Sequence, residues 1–543
     1  MVTAQLRDRE CSTAQIARAY WLGVALVVAG LFVTPLLPCV DYPQHLALSD
    51  VARRLSNPLA PEHAEYELNF FTYNGLFHWI VARLLSWLPI EAAGRLTVAA
   101  SLVALAGAVA RLFRQLQRPL EHAALFTPVL FSFALGWGFV NYTVAIAIAA
   151  WALVFVARGA MRPTLLDSAA IAGLGFACAY AHVLAMAALC VIATALALEV
   201  GWRYAPRSSS RASRLRSALF RSAAVLLPLS LGCLYCIVVY KRQFAWAPAM
   251  YRDPTLEGTA PPIWEKFVFF GAFASDLFGD ATDQVILWVT LSVMAWSAIR
   301  RSKDLRALRP IVEPTPPIVG PFIVVTAAYF ATPMVLVGTH LIFPRLGQLV
   351  VLGAALATPR FPPELAGRAR RYILRLGVLA GANLLAHCAV YGLETRDASA
   401  LLDDLPEGGA ATALIADPGT IAFRNGTLTH LAAYYAARKH GRWAFAFARY
   451  LSVPVRFKEG SQPAWPRRGW EFSAEDYDPR CTYARAFPLV IVRAPDDSPR
   501  GASAEPWLRQ MIFKGDAASV RLLAHRGEFW AFDTTGLPHD GTL

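Results

Sequence analysis

Hydrophobic residues in this chain fall into blocks, not stripes. Between residues 17 and 391, almost uncharged apolar runs alternate with short polar segments. Many of the runs approach the ~20 residues that a helix needs to cross a bilayer core. They predict about eleven spans, at 17–37, 93–113, 122–139, 143–158, 166–182, 184–201, 219–239, 283–299, 318–338, 346–358 and 372–391. The stretch from Phe77 to Leu88 is apolar but short, and it carries His78 and Arg83, so it reads as a helix lying along the membrane surface.

Beyond residue 395 the pattern changes. Ala411–Ala416 and Pro488–Arg493 read as buried strands, and Thr427–Ala437 as a helix. Val520–Ala524 and Glu528–Phe532 flank His525-Arg526-Gly527, which is a hairpin signal. The expected architecture is a polytopic α-helical membrane protein over 1–394, with a first outer loop at 38–92. A small extracytoplasmic α/β domain follows over 395–543.

Composition agrees with a membrane protein: 56% of residues are hydrophobic and only 16% charged. The net charge of +13 has a topological explanation. Arginines gather at 111–118, 158–162, 203–221, 300–309 and 360–371, in alternate connections between spans. That is the positive-inside pattern, with the N-terminus in the cytoplasm and the C-terminus outside the membrane. It leaves no need for nucleic acid as a partner. The eight cysteines lack metal-ligand spacing, and Cys233-x-x-Cys236 lies on an apolar helix. Cys39 and Cys481 are both expected on the outer side.

Candidate chemistry concentrates where the first span ends, at Asp41-Tyr42-Pro43-Gln44-His45. Pro43 suits the first turn of a helix that ends near Leu55, before Asn57-Pro58. Leu48, Val51 and Leu55 share one face, so the helix is expected to lie on the membrane. Asp41 is open to two readings. It either caps that helix or supplies a carboxylate for chemistry. Glu62, Glu65 and Glu67 read as solvated loop charges.

In these residues the chain resembles the GT-C-fold glycosyltransferases, bacterial membrane enzymes that use a polyprenyl-phosphate-linked sugar. The shared pattern is a first span, an acidic residue at the start of the first outer loop, juxtamembrane helices, and a second span headed by an arginine. Asp41 holds the acidic position, and Asn74 through Arg95-Leu96 resembles the juxtamembrane segment and arginine-headed span. The resemblance implies sugar transfer from a polyprenyl phosphate to a glycan, lipid or protein acceptor at the outer face. Asp41 would be the base, and His45, Arg95, Arg345, Lys241, Arg242 and His340 the substrate-binding residues. Asn141, Tyr142 and His182 are expected at outer helix ends near the same groups. Val40 stands where many members have a second acid, and a divalent cation is left open. Two other classes fit the same chain: a multi-span transporter of an envelope precursor, and a non-catalytic scaffold for envelope assembly.

Overall fold

The computed structural model describes residues 2–205, 210–244, 259–306, 317–336, 339–361, 363–466, 469–494, 504–513 and 519–537. The chain divides into two compact units. The first comprises 1–30, 98–135 and 141–386, and the second 31–97, 136–140 and 387–543.

Among the described residues, six helices are long and apolar enough to cross a membrane: Ile90–Gln115, Val140–Met161, Val183–Arg203, Arg211–Gln243, Thr282–Arg301 and Leu365–Glu394. Five shorter apolar helices stand where the other predicted spans were expected: Ala14–Gly30, Leu120–Gly136, Leu165–Ala181, Gly320–Ala331 and Pro344–Ala357. Ala14–Gly30 is the last part of the helix Val2–Gly30, which at ~1.5 Å per residue exceeds the ~30 Å hydrocarbon core, while Leu165–Ala181, Gly320–Ala331 and Pro344–Ala357 fall short of it.

In the first unit the helices approach closely at small residues. A Cβ on Gly232 would stand 2.7 Å from the Gly175 carbonyl oxygen, so the Leu165–Ala181 and Arg211–Val239 helices pack almost backbone to backbone. Such contacts replace the hydrophobic effect, which lipid does not supply between helices.

The second unit gathers the first loop with the C-terminal segment. Its strands are β1 (Tyr66–Leu68), β2 (Ala410–Ile415), β3 (Arg442–Trp443), β4 (Val455–Phe457), β5 (Leu489–Arg493), β6 (Arg521–Arg526) and β7 (Phe529–Asp533). Five of them form a mixed sheet in the order β3-β2-β5-β7-β6, parallel from β3 to β5 and antiparallel from there. Gly527 closes the predicted β6–β7 hairpin with a φ of 51°. The remaining pair, β1 with β4, joins the first loop to the C-terminal segment. The glutamates beside it are paired: Glu65 lies 2.8 Å from Arg442 and Glu67 3.3 Å from Arg456.

The helix after Asp41 runs from Tyr42 to Arg54 and is called the loop helix below. It does not lie on a membrane surface as its apolar face suggested. Every residue from Tyr42 to Ala52 is buried. A second helix, Leu431–Lys439, packs along it and is called the clamp helix. Tyr434 of the clamp helix accepts a hydrogen bond from the Leu37 backbone at 2.8 Å, and its ring lies 6.3 Å from that of Tyr42. A polar face that looked solvent-directed from periodicity is therefore covered by protein.

Candidate active site

Asp41 occupies the N-cap position of the loop helix, yet its side chain makes no capping hydrogen bond. The carboxylate turns instead to the head of the clamp helix, where His430 Nε2 stands 3.3 Å from Asp41 Oδ1. The capping alternative is thereby set aside. Asp41 Oδ2 has no hydrogen-bond partner among the described residues, and the side chain keeps 17% of its surface exposed.

The backbone of Asp41 is seated by a turn from elsewhere in the chain. Val40 and Asp41 N–H groups donate to the Gly136 and Trp137 carbonyls, each at 3.0 Å. Gly138 has a φ of +83°, and a Cβ there would lie 2.4 Å from the Asp41 nitrogen. Only glycine fits both the conformation and the gap.

His430 is buried, with its two ring nitrogens between acids. Nδ1 lies 3.1 Å from Glu471 Oε1, opposite the Asp41 contact. Burial alone would lower the imidazole pKa, but hydrogen bonds to Asp41 and Glu471 and their charges raise it to about 9. The ring is thus an imidazolium at neutral pH.

Gln44 stands beside it, with Nε2 3.2 Å from Nδ1. Its amide is oriented by Trp443 Nε1–H and Phe447 N–H, which donate to Oε1 at 2.7 and 3.2 Å. Gln44 Nε2 itself donates to the Phe445 carbonyl at 3.1 Å. In a neutral ring Nδ1 would accept from Gln44; in the charged ring it faces the Glu471 carboxylate at 3.1 Å. Nε2–H faces Asp41 in both states, so the carboxylate is held either way.

A second chain of side chains begins one turn along. Ser49 Oγ–H donates to the His45 carbonyl at 2.8 Å, so its oxygen accepts from His78 Nδ1–H at 2.9 Å. His78 Nε2 must then accept from His45 Nδ1–H, 3.2 Å away. This sequence of donors sets the tautomer of His45 and leaves its Nε2 as the acceptor nitrogen. Burial, reinforced by the neighbouring His45, holds the His78 pKa well below the ordinary imidazole value, so this ring stays neutral.

At their far ends the two helices are joined again: His440 Nδ1 lies 3.1 Å from Asp50 Oδ2. Two acid–histidine pairs, Asp41–His430 and Asp50–His440, therefore set the helices parallel and in register.

Of the expected substrate-binding residues, His45 and Arg95 share the second unit with Asp41. The expectation that Arg95 meets a lipid phosphate is not what its geometry serves. Its Nη1 donates to the Leu31 and Thr34 carbonyls at 2.8 and 2.5 Å, and Nη2 donates to the Pro35 carbonyl. The guanidinium closes the chain where the first apolar helix ends, in a pocket only 9% exposed.

Arg345, His340, Lys241 and Arg242 belong to the first unit. Arg345 is buried, with Nη1 3.1 Å from His182 Nε2 and Nη2 donating to the His340 carbonyl at 2.9 Å. Tyr142 Oη–H donates to the Arg345 carbonyl at 2.7 Å. Three residues expected near one another, Tyr142, His182 and Arg345, are thus in contact, while the ring of His340 is exposed. Lys241 and Arg242 are exposed in the last turn after the Arg211–Val239 helix. The segment between the predicted spans 219–239 and 283–299 also carries Arg252, Asp253 and Glu257, which lie outside the described residues.

Among the described residues, no group of three or more His, Cys, Asp or Glu side chains is arranged to hold a metal ion. At Asp41 the compensating cation is the His430 ring. Cys39 and Cys481 are both free thiols.

No protein-family model and no curated protein matches this chain. Among solved structures it is similar to ArnT from Cupriavidus metallidurans bound to undecaprenyl phosphate, at 12% identity and a TM-score of 0.48. The apo form of that protein aligns at 13% identity and a TM-score of 0.46, again over 96% of this chain and 98% of the other. A likeness this loose leaves the functional reading to the residues themselves.

Proposed function

We propose that this chain is a membrane glycosyltransferase of the GT-C type. It moves a sugar from a polyprenyl phosphate to a hydroxyl of a glycan, lipid or protein acceptor at the outer face of the inner membrane. The observation that carries this reading is Asp41: an N-cap-position carboxylate not used for capping, with one oxygen fixed by His430 and the other without a partner among the described residues. That is the arrangement a general base needs, since orientation comes before pKa in proton transfer.

In the proposed reaction, Asp41 Oδ2 takes the proton of the acceptor hydroxyl. The acceptor oxygen bonds to the anomeric carbon as the carbon–oxygen bond to phosphate breaks, and polyprenyl phosphate leaves. The developing phosphate charge calls for a cation.

The test is a transfer assay with purified protein in proteoliposomes, a labelled sugar on undecaprenyl phosphate, and a bacterial envelope fraction. Label covalently joined to an envelope component is the expected result. Label that crosses the bilayer without changing its bond would make the protein a transporter and overturn the proposal.

A further inference from the structure

The helix Pro363–Glu394 ends with its last side chain holding a loop of the C-terminal segment. Glu394 Oε1 accepts from the Ile421 N–H at 2.7 Å, and Oε2 from the Ala422 N–H at 3.2 Å. The loop is braced from within as well. Thr420 N–H donates to the Phe423 carbonyl at 3.0 Å, and Phe423 N–H to Thr420 Oγ1 at 2.9 Å. Arg493 Nη1 donates to the carbonyls of Asp417 and Gly419 at 2.7 and 2.6 Å. Phe423 is buried, with its ring 5.4 Å from that of Tyr391.

Everything in this turn is tied down except the side chain at its tip. Ile421 is 84% exposed. A loose loop can carry an exposed isoleucine at little cost, because the side chain can fold back. This one is held outward by bonds on both sides of it.

The height of the tip can be worked out from the helix beneath it. From Leu376 to Leu393 the helix contains no Asp, Glu, Lys or Arg, while Arg375 and Glu394 bound it. Those positions, 376 through 393, extend ~27 Å at ~1.5 Å per residue. That length fits the ~30 Å hydrocarbon core and sets Glu394 at a boundary of the membrane. Leu393, the last apolar residue before it, is 75% exposed. A carboxylate at the boundary thus grips the backbone that displays Ile421, and the exposed Arg396 beside it carries charge suited to lipid phosphates.

We propose that the 417–424 loop is a membrane-surface anchor. Ile421 enters the interfacial layer of the bilayer, and Glu394 is the latch that sets its depth. The partner is the lipid surface itself, continuous with the lipid that surrounds the end of the span. This inference does not depend on the proposed transfer reaction.

The full-length protein, reconstituted in phosphatidylethanolamine/phosphatidylglycerol nanodiscs, carries p-benzoylphenylalanine in place of Ile421 or, separately, of Leu393. After irradiation, mass spectrometry reads the adducts. The expected result is lipid adducts at position 421 in at least half the yield found at 393, falling several-fold when Glu394→Gln is added. Adducts to protein at 421, or none there while 393 crosslinks to lipid, would overturn the anchor. An unchanged lipid yield in Glu394→Gln would overturn the latch.

Discussion

Asp41 is defined by what holds it more than by its own chemistry. His430 fixes one carboxylate oxygen, and the ring is charged at neutral pH because Asp41 and Glu471 outweigh the effect of burial. The sign of the pH dependence follows. The folded pKa of about 9 lies above the ordinary 6.5, so the charged ring contributes stability that is complete below about pH 6.5 and lost as pH rises through about 9. Thermal melts in detergent between pH 7 and 10 should show an alkaline decline that His430→Asn largely removes. Gly138 is the other determinant at this scale. A methyl group at 138 meets the Asp41 nitrogen at 2.4 Å. Gly138→Ala is therefore expected to cost about 1–3 kcal/mol in stability through overpacking and strain. It should also lower transfer at least ~10-fold, since misplacing a catalytic group by ~1 Å can cost far more.

Between elements, the decisive contact is the loop helix against the clamp helix. Tyr434→Phe removes the acceptor of the Leu37 N–H and leaves that buried donor unsatisfied, at a cost of about 1–3 kcal/mol by denaturant titration. The individual elements were largely legible from the sequence, because each follows from local periodicity. Apolar runs marked the membrane helices, short β-rich runs marked β2 and β5, and His525-Arg526-Gly527 marked a hairpin. The pairing of elements was not legible. His430 lies 389 residues from Asp41, and no local pattern distinguishes it from any other histidine at a helix start. The same distance misled the reading of the loop helix. Periodicity turns Gln44 away from the face of Leu48, Val51 and Leu55, yet it is buried and meets His430 at the head of the clamp helix. Arg95 was conspicuous for heading a span, but sequence spacing does not reveal that three carbonyls from 31, 34 and 35 converge on it. Gln44 could have been suspected, as an amide in an otherwise apolar helix turn beside two chemically active residues.

At the scale of the whole molecule, the first loop and the C-terminal segment form one compact unit, although some three hundred residues, most of them in apolar helices, separate them in sequence. The chain cut after residue 394 would expose a loop helix in which eleven residues are now buried. Limited trypsin treatment of that fragment is expected to cleave rapidly at Arg53 and Arg54, while the full chain resists there; equal protection would show that the loop folds alone. The central claim is that Asp41 removes the acceptor's proton in sugar transfer, and its most direct test is Asp41→Asn in the proteoliposome assay. The amide keeps the shape and the His430 contact but cannot act as a base. The account predicts that transfer falls at least ~100-fold while binding of the polyprenyl-phosphate sugar is retained. Transfer at the wild-type rate in Asp41→Asn would contradict it.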